Sequence, residues 1–243
     1  MGINESSGDD TARQRLPEYT VRRSARARKV RLRVDMDGSV TVVVPHRARI
    51  TGYDEFVQRH ADWVTKQQER FAKLRSQARP VCADGKSAIP YRGKAVPLAI
   101  QPSADGRISL RYDGDAFILH QPESATEEHR RSIFRTWFRQ VARAVFEERV
   151  LTLNATTRYS WQRIRIGEQK TKWGSCSSRG TLSFNWRLLM APPAVLDYVV
   201  IHELAHLKEP NHSPAFWTLV EDQCPDHKAY RKWLNKNGML LAL

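Results

Sequence analysis

His202-Glu203-Leu204-Ala205-His206 sets two imidazoles four residues apart, with a carboxylate directly after the first. On a helix, residues i and i+4 lie on one face, so both rings can reach a single ion. Glu203 falls one residue round the surface. From there it need not ligate the metal and can accept a proton from a metal-bound water, whose pKa a zinc ion lowers to about 7. Pro210 cannot continue the helix and displaces Glu209 from helical geometry, so the chain must turn soon after His206. His212 lies just past that break. Ser213-Pro214 reads as an N-cap and first helical residue, opening a new helix whose apolar face is Phe216, Trp217, Leu219 and Val220. His212 is therefore held at a corner between two helices, where it can fold back towards the ion. Three of the eight histidines fall within these eleven residues. Three nitrogen ligands leave a fourth tetrahedral position for water, the layout of a catalytic zinc site rather than a closed structural one. The expected cofactor is Zn2+, with His202, His206 and His212 as ligands and Glu203 as the acid/base.

The helix that must carry the first pair runs from Pro193 to Lys208, with Val195, Leu196, Val199, Val200, Leu204 and Leu207 apolar. Before it, residues 161 to 190 alternate (Ile164, Ile166; Leu182, Phe184, Trp186) around a turn at Ser177-Ser178-Arg179-Gly180, which predicts a hairpin. A long core helix to about Leu153 is expected behind a capping box at Ser124-Ala125-Thr126-Glu127, with Phe134, Trp137, Phe138, Val141, Val145 and Phe146 on one face. Residues 87 to 119 carry short apolar runs broken by Pro90, Arg92-Gly93, Asp105-Gly106 and Asp113-Gly114, the pattern of a set of strands. Residues 52 to 78 space Phe56, His60, Trp63, Val64, Phe71 and Leu74 as one amphipathic helix. Val30, Leu32 and Val34, then Asp37-Gly38, then Val40 to Val44 read as a β-hairpin. The expected organisation is a disordered tail over 1–16, a β-rich basic part with one amphipathic helix over 17–120, and a catalytic domain over 124–243. The fold class is α+β.

Lys plus Arg number 40 against 26 Asp plus Glu, a formal charge of +14. Nine basic residues (Arg13, Arg15, Arg22, Arg23, Arg26, Arg28, Lys29, Arg31, Arg33) stand against Glu18 alone in the stretch from Arg13 to Arg33. Such a segment can associate weakly with nucleic acid through phosphate contacts. It can equally be a solvated strand face, because no aromatic side chains interleave for base stacking. No run of 18 apolar residues exists and the N-terminus lacks a basic-then-apolar pattern, so neither a membrane span nor a secretory signal is expected. Cys82, Cys176 and Cys224 form no disulfide framework or C-x-x-C pair, which points to the reducing cytoplasm.

Lys172-Trp173-Gly174-Ser175-Cys176, Ser183-Phe184-Asn185-Trp186-Arg187, the H-E-x-x-H run, and Asn211-His212-Ser213 followed by Phe216-Trp217 together resemble the YgjP-like family of predicted metal-dependent hydrolases, close to the SprT-type zinc metallopeptidases. The resemblance covers about residues 20 to 238. It implies a zincin-like catalytic half, with two ligand-bearing helices packed on a small sheet, and a peptidase acting on peptide or protein substrates. Residue by residue it gives the same ligands, His202, His206 and His212, and the same acid/base, Glu203. The interval from 202 to 212 also matches the metzincins, but Glu209 stands where they place glycine and no Met-turn motif is present. SprT-type proteins have a longer interval before the third histidine. Trp173, Gly174, Ser175 and Cys176 are candidate substrate-binding residues, their strand pairing with an extended peptide. Cys176 could alternatively be a soft extra ligand, or a buried inert thiol beside a tight turn at Gly174 and a packed Trp173. Tyr198, Tyr230, Arg231 and Lys172 are candidates to stabilise a transition-state oxyanion. The net charge also suits two rivals: a zinc hydrolase acting on RNA or another phosphodiester, and a nucleic-acid-binding module with a structural zinc.

Overall fold

The computed structural model describes residues 16–25, 27–35, 37–48, 52–77, 88–169 and 172–241. Most of the expected tail, together with Arg13, Arg15, Arg26 and Cys82, lies outside these residues. The chain divides into two compact units, Met1–Gln77 and Ala78–Leu243.

Among the described residues the first unit holds three strands, β1 (Tyr19–Ser24), β2 (Arg31–Val34) and β3 (Val40–Pro45), and two helices, α1 (Tyr53–Gln58) and α2 (Ala61–Gln77). β3 is central, antiparallel to β2 and parallel to β1. The turn between β2 and β3 forms at Asp37-Gly38, where Gly38 takes φ 88° and the Asp37 carboxylate accepts from the Ser39 N–H at 2.9 Å. Val40, Val42 and Val44 alternate inward, and Val42 and Val44 share a small core with Val57. Two helices stand where the periodicity predicts one. The His60 ring takes the Phe56 carbonyl at 2.7 Å, while the His60 backbone N–H turns to Val57 at 3.0 Å, and this breaks the i to i−4 ladder. On β1 the side chains of Arg22 and Arg23 are exposed.

The second unit begins with β4 (Ile89–Tyr91), β5 (Lys94–Val96), β6 (Leu98–Pro102), β7 (Ser109–Tyr112) and β8 (Phe117–Gln121), followed by α3 (Glu127–Asn154). β4 and β5 pair, and β6-β8-β7 form a three-stranded sheet. Sequence grouping puts these strands with the N-terminal part. In the structure they share a core with α3: Phe117 meets Phe134, Trp137 and Phe138 edge-on or tilted at 4.9 to 6.0 Å. The α3 cap lies later than the Ser124 capping box predicts. Thr126 is the N-cap, accepting from the His129 N–H at 3.3 Å while the His129 ring accepts from the Thr126 N–H at 3.3 Å. Histidine fills the part that glutamate plays in the usual box.

The remainder is β9 (Arg163–Gly167), β10 (Gly174–Cys176), β11 (Thr181–Asn185), a 3-10 turn (Trp186–Met190), α4 (Pro193–Ala205), α5 (Pro214–Gln223) and α6 (His227–Asn237). The hairpin expected around Ser177–Gly180 joins β10 to β11, not β9 to β11. β9 lies parallel on the other side of β11. Leu182 and Phe184 point into the core, where Phe184 stacks on Phe146 of α3 at 4.5 Å. α4 is buried nearly all round, from Val195 to Ala205, as expected of a helix enclosed by other elements. It packs against α3, α5, α6 and β10. Arg149 of α3 grips Asp197 of α4 with two hydrogen bonds of 2.7 and 2.8 Å. Among the described residues no helix is long and apolar enough to cross a membrane.

Candidate metal centre and its pocket

α4 brings His202 and His206 onto one face, one turn apart, and ends at Ala205 with His206 as its C-cap. The chain then turns. The Glu209 N–H returns to the Ala205 carbonyl at 2.9 Å, and His206 Nδ1 lies 3.0 Å from the Glu209 carbonyl oxygen, a donor's position that leaves Nε2 free to ligate. Ser213 caps α5 by accepting from the Phe216 N–H at 3.2 Å, and its hydroxyl donates to Glu209 Oε2 at 3.2 Å. This corner fixes His212. Its Nε2 stands 3.1 Å from His202 Nε2.

One ligand atom from each of His202, His206 and His212 lies within 4.8 Å of the others. Nitrogens bound tetrahedrally to zinc at about 2.0–2.1 Å would stand about 3.3 Å apart, so the donor set fits an ion with small adjustment. Phe216, wholly buried, backs all three rings at 4.9, 4.5 and 4.8 Å. Trp217 stacks between His212 at 5.7 Å and His227 at 5.5 Å, with the Arg231 guanidinium 5.2 Å from its ring centre. Burial, then the neighbouring His206 and His212, hold His202 neutral down to a pKa of about 3. Burial and His206 also lower His212. Neutral imidazoles are the metal-binding form.

Glu203 is 4% exposed. Burial pushes its carboxyl up to about 8, against the opposing pull of Lys172 and of the nearby Cys176 backbone N–H. Its Oε2 is buried with no protein partner among the described residues. Gly174 makes the seat for this side chain: a Cβ there would come within 2.6 Å of Glu203 Oε1 and 2.7 Å of its Cγ. The glycine in the Trp173-Gly174-Ser175-Cys176 run thus serves the carboxylate directly. The sequence suggests a substrate strand or a tight turn at Gly174, and a glycine inside a strand is also a signal of close approach.

A pocket of about 930 Å³ surrounds the site. Trp173, Gly174, Ser175 and Cys176 all line it, as do Tyr198, Lys172 and Arg231; Tyr230 is not among the lining residues. Trp173 packs on the C-terminal turn, where a Cβ on Gly238 would meet its ring at 2.6 Å. Cys176 is half-buried, its thiol 3.5 Å from the Ser177 carbonyl, and it stands outside the converging histidine group. Burial, with Glu203 nearby, pushes that thiol up to about 11. Phe216 and Trp217, expected as the apolar face of a helix, also back and flank the histidine rings.

A nitrogen-lined ion site with a buried carboxylate beside it is the equipment of a metal-dependent hydrolase. The YgjP-like metallopeptidase domain matches residues 28–237. The chain belongs to this family and is a metal-dependent peptidase. Two solved structures are similar over part of it. The metallopeptidase zymogen of Pyrococcus abyssi abylysin is 28% identical, covering 37% of this chain and 93% of its own, with a TM-score of 0.31. The metallopeptidase zymogen of Methanocaldococcus jannaschii jannalysin is 23% identical, covering 37% and 95%, with a TM-score of 0.32. No curated protein matches the chain.

Proposed function

We propose that the chain is a zinc peptidase of zincin-like build, in which His202, His206 and His212 hold the ion and Glu203 moves the proton. The observation that carries this reading is the convergence of three imidazoles beside a buried, half-unpartnered carboxylate in an open pocket. When bound, zinc supplies Lewis acidity, drawing electron density from a peptide carbonyl and lowering the pKa of a water in its shell to about 7. Glu203 accepts the proton of the attacking water and delivers it to the leaving nitrogen. The bare Cα of Gly174 leaves the room that this carboxylate occupies.

Trp173, Gly174, Ser175 and Cys176 bind the substrate through β10, which is an edge strand. The Trp173 carbonyl and the Ser177 N–H turn to β11, at 2.8 and 3.0 Å, so by alternation the Gly174 N–H and C=O face the open edge. An extended peptide can pair there and present one carbonyl to the ion. Its activity belongs in the cytoplasm, where the free thiols Cys176 and Cys224 stay reduced.

The test compares two variants. Glu203→Gln keeps the side chain's shape but cannot take a proton, so zinc content and Tm should stay near wild type while cleavage of an unfolded protein substrate disappears. His212→Ala should lose zinc and activity together, with any folding free energy linked to the metal. Full activity in Glu203→Gln would sink the general-base assignment. A zinc ratio well below one per chain that stays low after zinc addition would sink the site.

A further inference from the structure

The sheet that presents β10 to the catalytic pocket has a second, outward face. Ile164, Leu182 and Phe184 point into the core, so Arg163, Arg165 and Ser183, alternating with them, point out; Thr181 lies on the same side, 8% exposed, with Arg163 bonded to its hydroxyl. Register sets these outward residues in two rows across the sheet. Arg165 of β9 lies beside Ser183 of β11, which faces Ser175 of β10. Arg163 lies beside Thr181, whose carbonyl takes the Ser177 N–H at 3.0 Å. Each row runs from an arginine to hydroxyls, and Arg179 closes the turn end. Together they line a groove of about 700 Å³. Arg163 Nε donates to Thr181 Oγ1 at 3.3 Å, and none of the three arginines has a carboxylate partner among the described residues.

Guanidinium groups and hydroxyls without acidic partners are a receptor for carboxylates, because charge-assisted hydrogen bonds are about twice as strong as neutral ones. The groove shares Ser175, Cys176, Ser177 and Arg179 with the catalytic pocket. A chain that follows β10 past the ion therefore reaches the groove within a few residues. No aromatic side chain lines it, which disfavours a single-stranded nucleic acid, whose bases need stacking partners. We infer that this outer face is a specificity subsite for peptide substrates carrying aspartate or glutamate close to the scissile bond, read chiefly by Arg163 and Arg165. The inference rests on the peptidase reading and names its substrate class.

Binding separates the two ideas. A fluorescein-labelled peptide with an apolar centre flanked by glutamates, and its glutamine counterpart, are titrated by anisotropy against the full-length Glu203→Gln chain loaded with zinc. The glutamate peptide should bind about 10- to 100-fold more tightly at low salt. In the same chain carrying Arg163→Ser and Arg165→Ser that preference should vanish, with the glutamine peptide's Kd unchanged. Arg165→Glu should turn the preference towards a lysine-flanked peptide. Equal affinity for both peptides, no detectable binding of either, or a preference that survives the double change would overturn the subsite. So would a single-stranded oligonucleotide of matching charge that displaces the glutamate peptide and itself loses affinity with the two arginines. Cleavage by the wild-type chain is scored separately: a binding preference without cleavage supports the groove and counts against the peptidase reading.

Discussion

At Gly174 a single hydrogen atom decides where a carboxylate can sit. Adding a methyl there would place a Cβ 2.6 Å from Glu203 Oε1, so Gly174→Ala must push the carboxylate of Glu203, the proposed acid/base, aside while leaving the histidines untouched. A displacement of about 1 Å in a catalytic group can cost about 100-fold in rate. The expected outcome is near-normal zinc content with kcat/KM down by about that factor; unchanged kinetics would mean the glutamate does not work from its seat. Cys176 makes a second residue-scale test, with a pH axis. Burial raises its thiol to about 11, so it is protonated at pH 8 and its iodoacetamide reaction should climb roughly tenfold per pH unit between 8 and 10. Mass spectrometry of the Cys176 peptide reads this. A rate already flat at pH 8 would reveal a thiolate and revive the thiol as a metal ligand.

Elements turn these residues into a site, and α5 does so through its first turn. Ser213 joins the Phe216 N–H to Glu209 Oε2, next to His212, and Phe216 backs all three rings. Ser213→Ala should cost about 1 kcal/mol of stability, the usual loss for an N-cap. Because the cap adjoins His212, the proposed third ligand, zinc affinity should fall as well. Urea unfolding with and without zinc measures both, and a stability loss without any change in zinc Kd would separate the cap from the metal. The helix carrying His202 and His206 and the capped helix after Pro210 were legible because helical period, proline and N-cap chemistry are local. Strand partners were less so. Nothing in the alternation of Ile164 and Ile166 tells that β9 runs parallel to β11 while β10 takes the hairpin, since register depends on contacts distant in sequence. The cap at Thr126 and the break at His60 were missed for a common reason, a histidine ring acting where backbone or glutamate was expected.

For the whole molecule the formal charge of +14 is the feature with the longest reach. Part of it sits on β1, where Arg22 is exposed and Arg23 is tied back to the His46 and Ala48 carbonyls at 3.0 and 3.1 Å. An arginine engaged with its own backbone has less to offer a phosphate, so any nucleic-acid binding through this segment should be weak and fall steeply with salt. Binding curves for the full chain and for one with Arg22, Arg23, Arg26 and Arg28 changed to Ser check it; identical curves would remove the segment from any such role. The stack of Trp217 on His212 has a different consequence, an optical one. An indole lying against the His212 ring, a proposed ligand, is a built-in reporter of what that ring holds. Zinc, with its filled d shell, should alter the emission of Trp217 without extinguishing it, whereas an open-shell ion such as Cu2+ or Co2+ in the same place should quench it. Trp217→Phe should reduce that difference to the share of Trp173, which also lines the pocket, so the metal's arrival can be followed in the unlabelled chain by light alone.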